Sequence, residues 1–373
     1  MRIGSVFHQL TQLEFFDLEV AKVDKNILTI ICLSRNRQAF LKRVVLAYSH
    51  TNYHLILADD STAIWDWPQS GGFGSLTWEY FSSTGSTPGI SYANRFLRAV
   101  TLATTEFVCF LDDEEVIFPY GLERAIDELE LDNSIICAGG RISTLIRDER
   151  GDLKLGRWGR RSDDYSVIAS RPIDRMKQIV IDTRTANLYY QVIRRDTALD
   201  FGFRIQGLNF QFHSAIEIFL ALFLLKQGNW AMGRYPYWVR VVGPPNKSDF
   251  KDHMTKEEIS WIVEAVCDHT WDFSDKSSLT TKIENTWGES SLKVSREELT
   301  RTKSTSRKFM GNLKSWVRKS PLLVMFFKRW RKATPSYKSF KVYFESHNLV
   351  SSDNILERAH IEAILKTYPN GVN

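Results

Sequence analysis

The chain has 373 residues, a net charge of +5, 43% hydrophobic and 25% charged residues, and four cysteines. That balance excludes a disordered, collagenous or disulfide-framework protein and allows one large α/β domain with additions. Charge is uneven: residues 299–344 carry thirteen Lys or Arg and no acid, so a segment of +13 in a chain of +5 leaves −8 on the remainder, an acidic body with a basic C-terminal region.

Cys32, Cys109, Cys137 and Cys267 show no metal-binding spacing, and three lie in apolar runs. They read as reduced core residues of a reducing compartment. The first twenty residues hold no uninterrupted apolar stretch and no small-residue cleavage site, so a signal peptide is not expected. The longest apolar runs, Phe219 to Leu225 and Pro321 to Phe327, are far shorter than the roughly 20 residues that span a bilayer.

In chain order, "NILTIICL" (26–33) is a β-branched strand running into the polar turn "SRNR". "QAFLKRVVLAYSH" places Phe40, Leu41, Val44, Val45 and Tyr48 at helical spacing. "YHLILADDST" is a second strand, ending in acids, and 63–75 is a loop rich in Gly and Trp. "SLTWEYF" is a third strand, and "STPGISYANRFLRAVTLATT" a helix opened by Pro and Gly. "EFVCFL" is a fourth strand, followed by Asp112, Asp113, Glu114 and Glu115. "PYGLERAIDELEL" is a helix with Pro at its start, and "SIICAGGRI" a fifth strand. Residues 141–185 read as loops and short strands, and 186–203 as a strand and a short helix. "SAIEIFLALFLLKQG" is an apolar helix closed by Gly228. Past about residue 245 the pattern changes to polar helices, and a second module is expected there.

Strands alternating with helices predict βαβ units and a mostly parallel sheet, whose ligands sit beyond the C-terminal strand ends. Asp59–Asp60 and Asp112–Glu115 both end strands, so both are expected at one crevice. Adjacent carboxylates repel, and a divalent cation is the most economical compensation. Mg2+ or Mn2+ takes one or two carboxylates and leaves its other positions to water and phosphate oxygens. A solvated turn capping the next helix explains the same acids without a ligand.

The ordered set "LTIICLSRNR", "LILADDST", "PGISYANR" and "FVCFLDDEEVIFP" resembles the nucleotide-binding half of family 2 glycosyltransferases over about residues 26 to 235. The resemblance implies a GT-A fold with a Rossmann-like central sheet and a helical C-terminal extension. It implies an N-terminal extension (1–25), a catalytic domain (26–245, with a donor half 26–140 and an acceptor half 141–245) and a C-terminal helical region (246–373). Asp60 would accept a hydrogen bond from the nucleotide base, with Asp59 supporting that pocket. Ser34 and Arg37 would lie beside base and ribose, Arg95 near the nucleotide or its phosphates, and Asp113 toward the ribose. Asp112 and Glu114 occupy the DxD positions and would hold the metal, although Glu114 stands where the family has Asp. Asn94-Arg95 also reverses the family's Arg-Asn order.

An inverting transfer needs a carboxylate to take the acceptor hydroxyl's proton. In the resembled family it belongs to an "ED" pair at the start of a Gly-terminated helix. Here the pair reads Ile216-Glu217, so Glu217 takes the base position, and it is the only acid between Asp200 and Asp249. A first-turn Glu favoured by the helix dipole is the plain alternative. His213 is a candidate metal or phosphate contact, and Asn187 of "ANLYYQVIRRD" an acceptor-side residue. Arg194 and Arg195 read as surface or packing residues.

Segment 301–341 mixes Lys and Arg with aromatics on helical faces: Phe309, Leu313, Trp316 and Val317, then Leu323, Phe326, Phe327 and Trp330. Such a segment suits an anionic membrane surface, packing on the domain, or nucleic acid. The expected function is glycosyl transfer from a UDP-linked donor to a glycan or lipid-linked saccharide, as in polysaccharide biosynthesis. The expected location is cytoplasmic, peripheral on the inner face of the cell membrane. The alternative is a catalytically silent relative that binds nucleotide sugar or scaffolds a membrane complex. A nucleotidyltransferase would want a Gly-rich phosphate loop after the first strand, and "SRNRQAF" has no Gly.

Overall fold

The computed structural model describes residues 27–48, 51–62, 76–80, 87–113, 115–147, 153–157, 166–182, 188–212, 214–241, 253–267, 271–288 and 338–339. Ten strands form one sheet among them: β1 (Leu28–Ser34), β2 (His54–Asp59), β3 (Leu76–Tyr80), β4 (Phe107–Asp112), β5 (Val116–Ile117), β6 (Ile135–Arg147), β7 (Leu153–Arg157), β8 (Val192–Arg194), β9 (Asn229–Val241) and β10 (Lys338–Ser339). Their order is β10-β7-β6-β8-β4-β1-β2-β3, with β9 paired to β6 and β5. The helices are α1 (Gln38–Tyr48), α2 (Pro88–Leu102), α3 (Pro119–Leu131), α4 (Pro172–Asp182), α5 (Arg195–Ile205), α6 (Ala215–Gln227), α7 (Lys256–Val266) and α8 (Phe273–Trp287).

The first half is the expected parallel unit. All seven residues of β1 are buried, and it pairs in parallel with β2 and β4, while β2 pairs in parallel with β3. A strand covered on both faces must be apolar throughout, and "LTIICLS" nearly is. Its one buried hydroxyl in mid-run, Thr29, bonds Thr105 at 2.6 Å. Antiparallel pairing starts at β8, which joins β4 to β6. The long β6–β9 pair is parallel again, so most paired positions of the sheet are parallel. Cys32, Cys109, Cys137 and Cys267 are buried and free.

An aromatic chain ties helices to sheet. Phe96 of α2 stacks on Phe110 of β4 at 4.3 Å, and its edge meets Phe201 of α5. Phe201 in turn meets Phe219 of α6 at 5.1 Å. Each such ring contributes on the order of 1.5–3 kcal/mol by burial. Every residue of α6 from Ala215 to Leu225 is buried. A helix apolar on all sides must be enclosed, and α4, α5, α7, β6 and β9 enclose it. α8 packs on α4 and α7.

Four features differ from the sequence reading. The fifth strand runs on to Arg147, and a helix, α4, lies in the stretch read as loops. Its apolar positions Ile173, Met176, Ile179 and Val180 do follow helical spacing and are buried. β9 was not anticipated, because Gly233 and Pro236 interrupt "NWAMGRYPYWVRV". The pair absorbs them through register shifts beside Gly139 and Arg141. Gly228 does end α6, but in extended backbone, φ −164°. The constraint there is close approach: a Cβ would lie 2.7 Å from the Ser134 carbonyl oxygen.

Candidate active site

The parallel register brings the two acidic strand ends level. Ser34 pairs with Asp59 and Leu33 with Asp112, so the acids flank the C-terminal end of β1. Two strand spacings separate them, about 10 Å. The turns that follow are stitched together. Asn36, in left-handed backbone at φ 57°, donates its N–H to Ser61 Oγ at 2.8 Å. Its side-chain oxygen accepts from the Thr62 N–H at 2.8 Å and from the Thr62 hydroxyl. Asn tolerates this backbone better than other side chains do.

Beneath those turns lies a buried charge cluster. Asp60 is 2% exposed. Its Oδ2 accepts from Ser91 Oγ at 2.7 Å and faces Arg95 Nε and Arg35 Nε, each at 3.9 Å. Arg95 donates through Nη1 to the Ser34 carbonyl at 2.6 Å, and burial lowers its pKa against the pull of Asp60. Asp60 Oδ1, Asp59 Oδ2 and Arg95 Nε have no hydrogen-bond partner among the described residues. Such buried orphans cost about 1–3 kcal/mol each until something bonds them. Asp59 Oδ1 accepts from the Ser61 N–H and hydroxyl. Burial raises the Asp59 pKa, opposed by those bonds and by Arg95.

The acid run after β4 divides into separate environments. Asp112 is half-buried and its Oδ2 accepts from Tyr190 Oη. Asp113 turns inward, where it accepts from Ser34 Oγ at 2.6 Å and pairs with Arg37 Nε at 3.0 Å. Arg37 lies 4.2 Å over the Phe40 ring. Glu115 is buried, and its N–H closes a turn on the Asp112 carbonyl. Tyr48 of α1 then pins Ile117 by bonding both its carbonyl and its N–H. Tyr190 is held by a 4.0 Å stack on Trp238, and its carbonyl accepts from Tyr237 Oη at 2.7 Å.

Glu217 lies in the first turn of α6 and is 7% exposed. Burial, then Asp112, Glu115 and Glu217, raise the Tyr190 pKa, so this phenol stays a donor. Tyr189 and Tyr92, bonded through their hydroxyls at 2.6 Å, are raised by burial and also feel both Asp112 and Glu217. Asp112 is hydrogen-bonded to this tyrosine cluster, and Glu217 lies near enough for its charge to act on the same three phenols. At the far end of α6, Arg175 donates to the Leu225 and Lys226 carbonyls at 2.8 and 3.2 Å, and also to the Ala169 and Ser170 carbonyls. At its near end, Glu258 of α7 accepts the N–H groups of Gln211 and Phe212.

Of the residues singled out from sequence, Ser34, Arg37, Asp59, Asp60, Arg95, Asp112 and Asp113 gather at this crevice, and Glu217 lies within electrostatic range of its tyrosines. Arg95 is committed inward to Ser34 and Asp60, and Asp113 to Ser34 and Arg37. Glu114, His213 and Asn187 lie outside the described residues, as does segment 301–341 apart from Lys338–Ser339, which pairs with β7. Arg194 and Arg195 are packing residues that bind the Leu129 and Ala103 carbonyls. Sequence reasoning missed Tyr190, Arg175 and Glu258. "YY" after Asn187 and a Thr-x-x-Glu capping box were the available signals. No group of three or more metal-ligand side chains is assembled among the described residues. The chemistry of the donor set still fits a hard cation: Asp112 offers a half-buried carboxylate, and Mg2+ needs few protein carboxylates when phosphate oxygens share it. No helix among the described residues is long and apolar enough to cross a membrane.

No protein-family model and no curated protein matches the sequence. Solved structures do. S. aureus TarS 1–349 in complex with UDP-GlcNAc superposes with a TM-score of 0.50 at 13% identity, over 70% of this chain and 72% of that one. A longer S. aureus TarS structure gives 0.49 at 14% identity, and this chain spans 43% of its length. At such identity the likeness concerns architecture: the chain has a GT-A-type α/β fold, with helices flanking a mostly parallel central sheet.

Proposed function

We propose that this protein is an inverting glycosyltransferase that moves a sugar from a UDP-linked donor to a hydroxyl of a glycan or lipid-linked saccharide. The observation that carries the proposal is a buried acceptor left bare, Asp60 Oδ1, beside the β2 strand end that lies across β1 from Asp112, at the C-terminal edge of the parallel strands. A bare carboxyl oxygen is a hydrogen-bond acceptor, so Asp60 Oδ1 suits a base that presents an N–H, as uracil does. The binding of UDP-GlcNAc by TarS in a similar fold is in keeping with that donor class.

In the proposed reaction the acceptor oxygen attacks the anomeric carbon from the face opposite the diphosphate. The bond from that carbon to the diphosphate oxygen breaks, its electron pair leaves with the nucleoside diphosphate, and the hydroxyl proton passes to Glu217. Mg2+ or Mn2+, held by Asp112, Glu114 and His213, would offset charge on the leaving diphosphate. Segment 301–341 would hold the enzyme against an anionic membrane face.

The altered "ED" position, with buried Ile216 before Glu217, favours a second reading as a catalytically silent nucleotide-sugar binder. UDP release from UDP-sugars with Mn2+, compared between wild type and Glu217→Gln, separates the two. Glycosyl transfer predicts release that falls at least 100-fold in the variant. Binding without release in the wild type would contradict it.

A further inference from the structure

Three elements, α2, α6 and α7, converge on the short segment that leads into α6. Phe210 is 1% exposed and lies between Phe219 of α6, at 6.4 Å, and Trp261 of α7, at 6.1 Å. The next two residues give their N–H groups to Glu258: Gln211 at 2.6 Å and Phe212 at 3.0 Å, both on Oε1. The other oxygen, Oε2, accepts the Thr255 N–H at 2.7 Å and completes the capping box of α7. The Phe212 carbonyl then accepts the Ala215 N–H as α6 begins, two residues before Glu217. Ser214, the N-cap, makes no side-chain cap of its own.

The capping box uses only one oxygen of Glu258 toward the start of its own helix. The bonds from Gln211 and Phe212 add nothing to α7; they fix the segment. Glu258 is 1% exposed, and a carboxylate so buried is costly unless N–H groups satisfy it, as three do here. The segment also touches the donor half. A Cβ on Gly89, in the first turn of α2, would lie 2.1 Å from the Phe210 carbonyl oxygen and 2.6 Å from its nitrogen, so only glycine permits this approach. Thr87 Oγ1 donates to Asn209 Oδ1. One turn on, Ser91 bonds Asp60.

We infer that Glu258 is a positioning residue for the candidate base: it clamps Phe210–Phe212 between α7 and the α2 N-terminus, and so sets Glu217 against the donor pocket. The inference rests on the glycosyl-transfer reading. The helices beyond residue 253 are thereby tied to the reaction through backbone hydrogen bonds, with no contact to substrate required.

The test uses the full chain with Glu258→Gln and Gly89→Ala, and three readouts. Amide exchange over 209–217 should accelerate at least tenfold in Glu258→Gln, while 54–62 is unchanged. Donor hydrolysis should lose at least tenfold in kcat with donor KM within twofold of wild type. Thermal stabilisation by UDP with Mn2+ should be retained. Gly89→Ala, which displaces the same backbone from the other side, should show the same kcat-against-KM split. Unchanged exchange over 209–217 would overturn the clamp. Accelerated exchange with kcat within twofold would reduce Glu258 to a structural cap and overturn the positioning role. A wild type that binds UDP but turns over no donor would overturn the glycosyl-transfer reading and this role with it, while the exchange result would still decide the clamp.

Discussion

Arg175→Met tests how the helix carrying Glu217 is held. Arg175 is 6% exposed, and its guanidinium donates to the Leu225 and Lys226 carbonyls at the α6 C-terminus, and to the Ala169 and Ser170 carbonyls. Helix C-termini leave four carbonyls without intrahelical partners, and a cation there is also favoured by the helix dipole. Methionine keeps most of the apolar stem and removes every donor. A hydrogen bond to a charged group is worth about 1.5–3 kcal/mol, and each buried carbonyl left bare costs about 1–3 kcal/mol. Water reaches the more exposed Lys226 end and repays part, so a loss of about 3–4 kcal/mol is expected. Arg175→Lys keeps the charge but not the planar fork, and should recover less than half of that loss. Urea unfolding at constant m-value reads the difference as a shift in midpoint. A Met variant within about 1 kcal/mol of wild type would refute the claim that Arg175 caps α6.

Asn36→Ala should cost about 1–2 kcal/mol, from left-handed backbone and two lost bonds to Thr62, and Asn36→Gly should recover only the backbone part; equal losses in chemical denaturation would refute the backbone contribution. Asp59 has its pKa raised by burial above the ordinary 3.8, so the folded state holds that proton more tightly than the unfolded state. Its contribution is therefore most favourable below the unfolded pKa and is lost as pH rises through the raised folded value. Wild type should lose stability relative to Asp59→Asn as pH rises across that window, and a difference constant with pH would contradict this. Tyr190→Phe removes the donor to Asp112 and should cost about 1–2 kcal/mol in stability. It should also raise the Mn2+ concentration needed for UDP-dependent thermal stabilisation, and an unchanged Mn2+ titration would separate Tyr190 from the proposed metal contact of Asp112.

The parallel half was legible because its signals are local. β-branched runs, acids at strand ends and Pro-led helices mark β1, β2, β4, α2 and α3 without knowledge of the fold. The acid run was less legible, because its described carboxylates, Asp112, Asp113 and Glu115, meet different surroundings. Asp112 meets a tyrosine 78 residues away and Asp113 a serine 79 residues away. Such partners follow from strand order, which one sequence does not display. Arg95 illustrates the same limit: the family resemblance of "ANR" singles it out, but only the packed structure turns it toward the Ser34 carbonyl and Asp60. β9 escaped because a glycine and a proline break its pattern, and β6 absorbs both in register shifts. Arg175 and Glu258 act on backbone groups about 50 residues away, contacts that no motif encodes.

The central claim is that the crevice beyond β1, β2 and β4 takes a nucleoside diphosphate, with Asp60 reading the base. Thermal stabilisation of the full chain by UDP, GDP, CMP and dTDP, each with Mn2+ and with EDTA, in wild type and Glu114→Ala, tests it most directly. Ligand at 100 times its Kd should stabilise the folded state by about 2.7 kcal/mol. The account predicts a metal-dependent rise in Tm with UDP that is lost in Glu114→Ala. No shift with any nucleotide, or one indifferent to both metal and the Glu114 change, would contradict it.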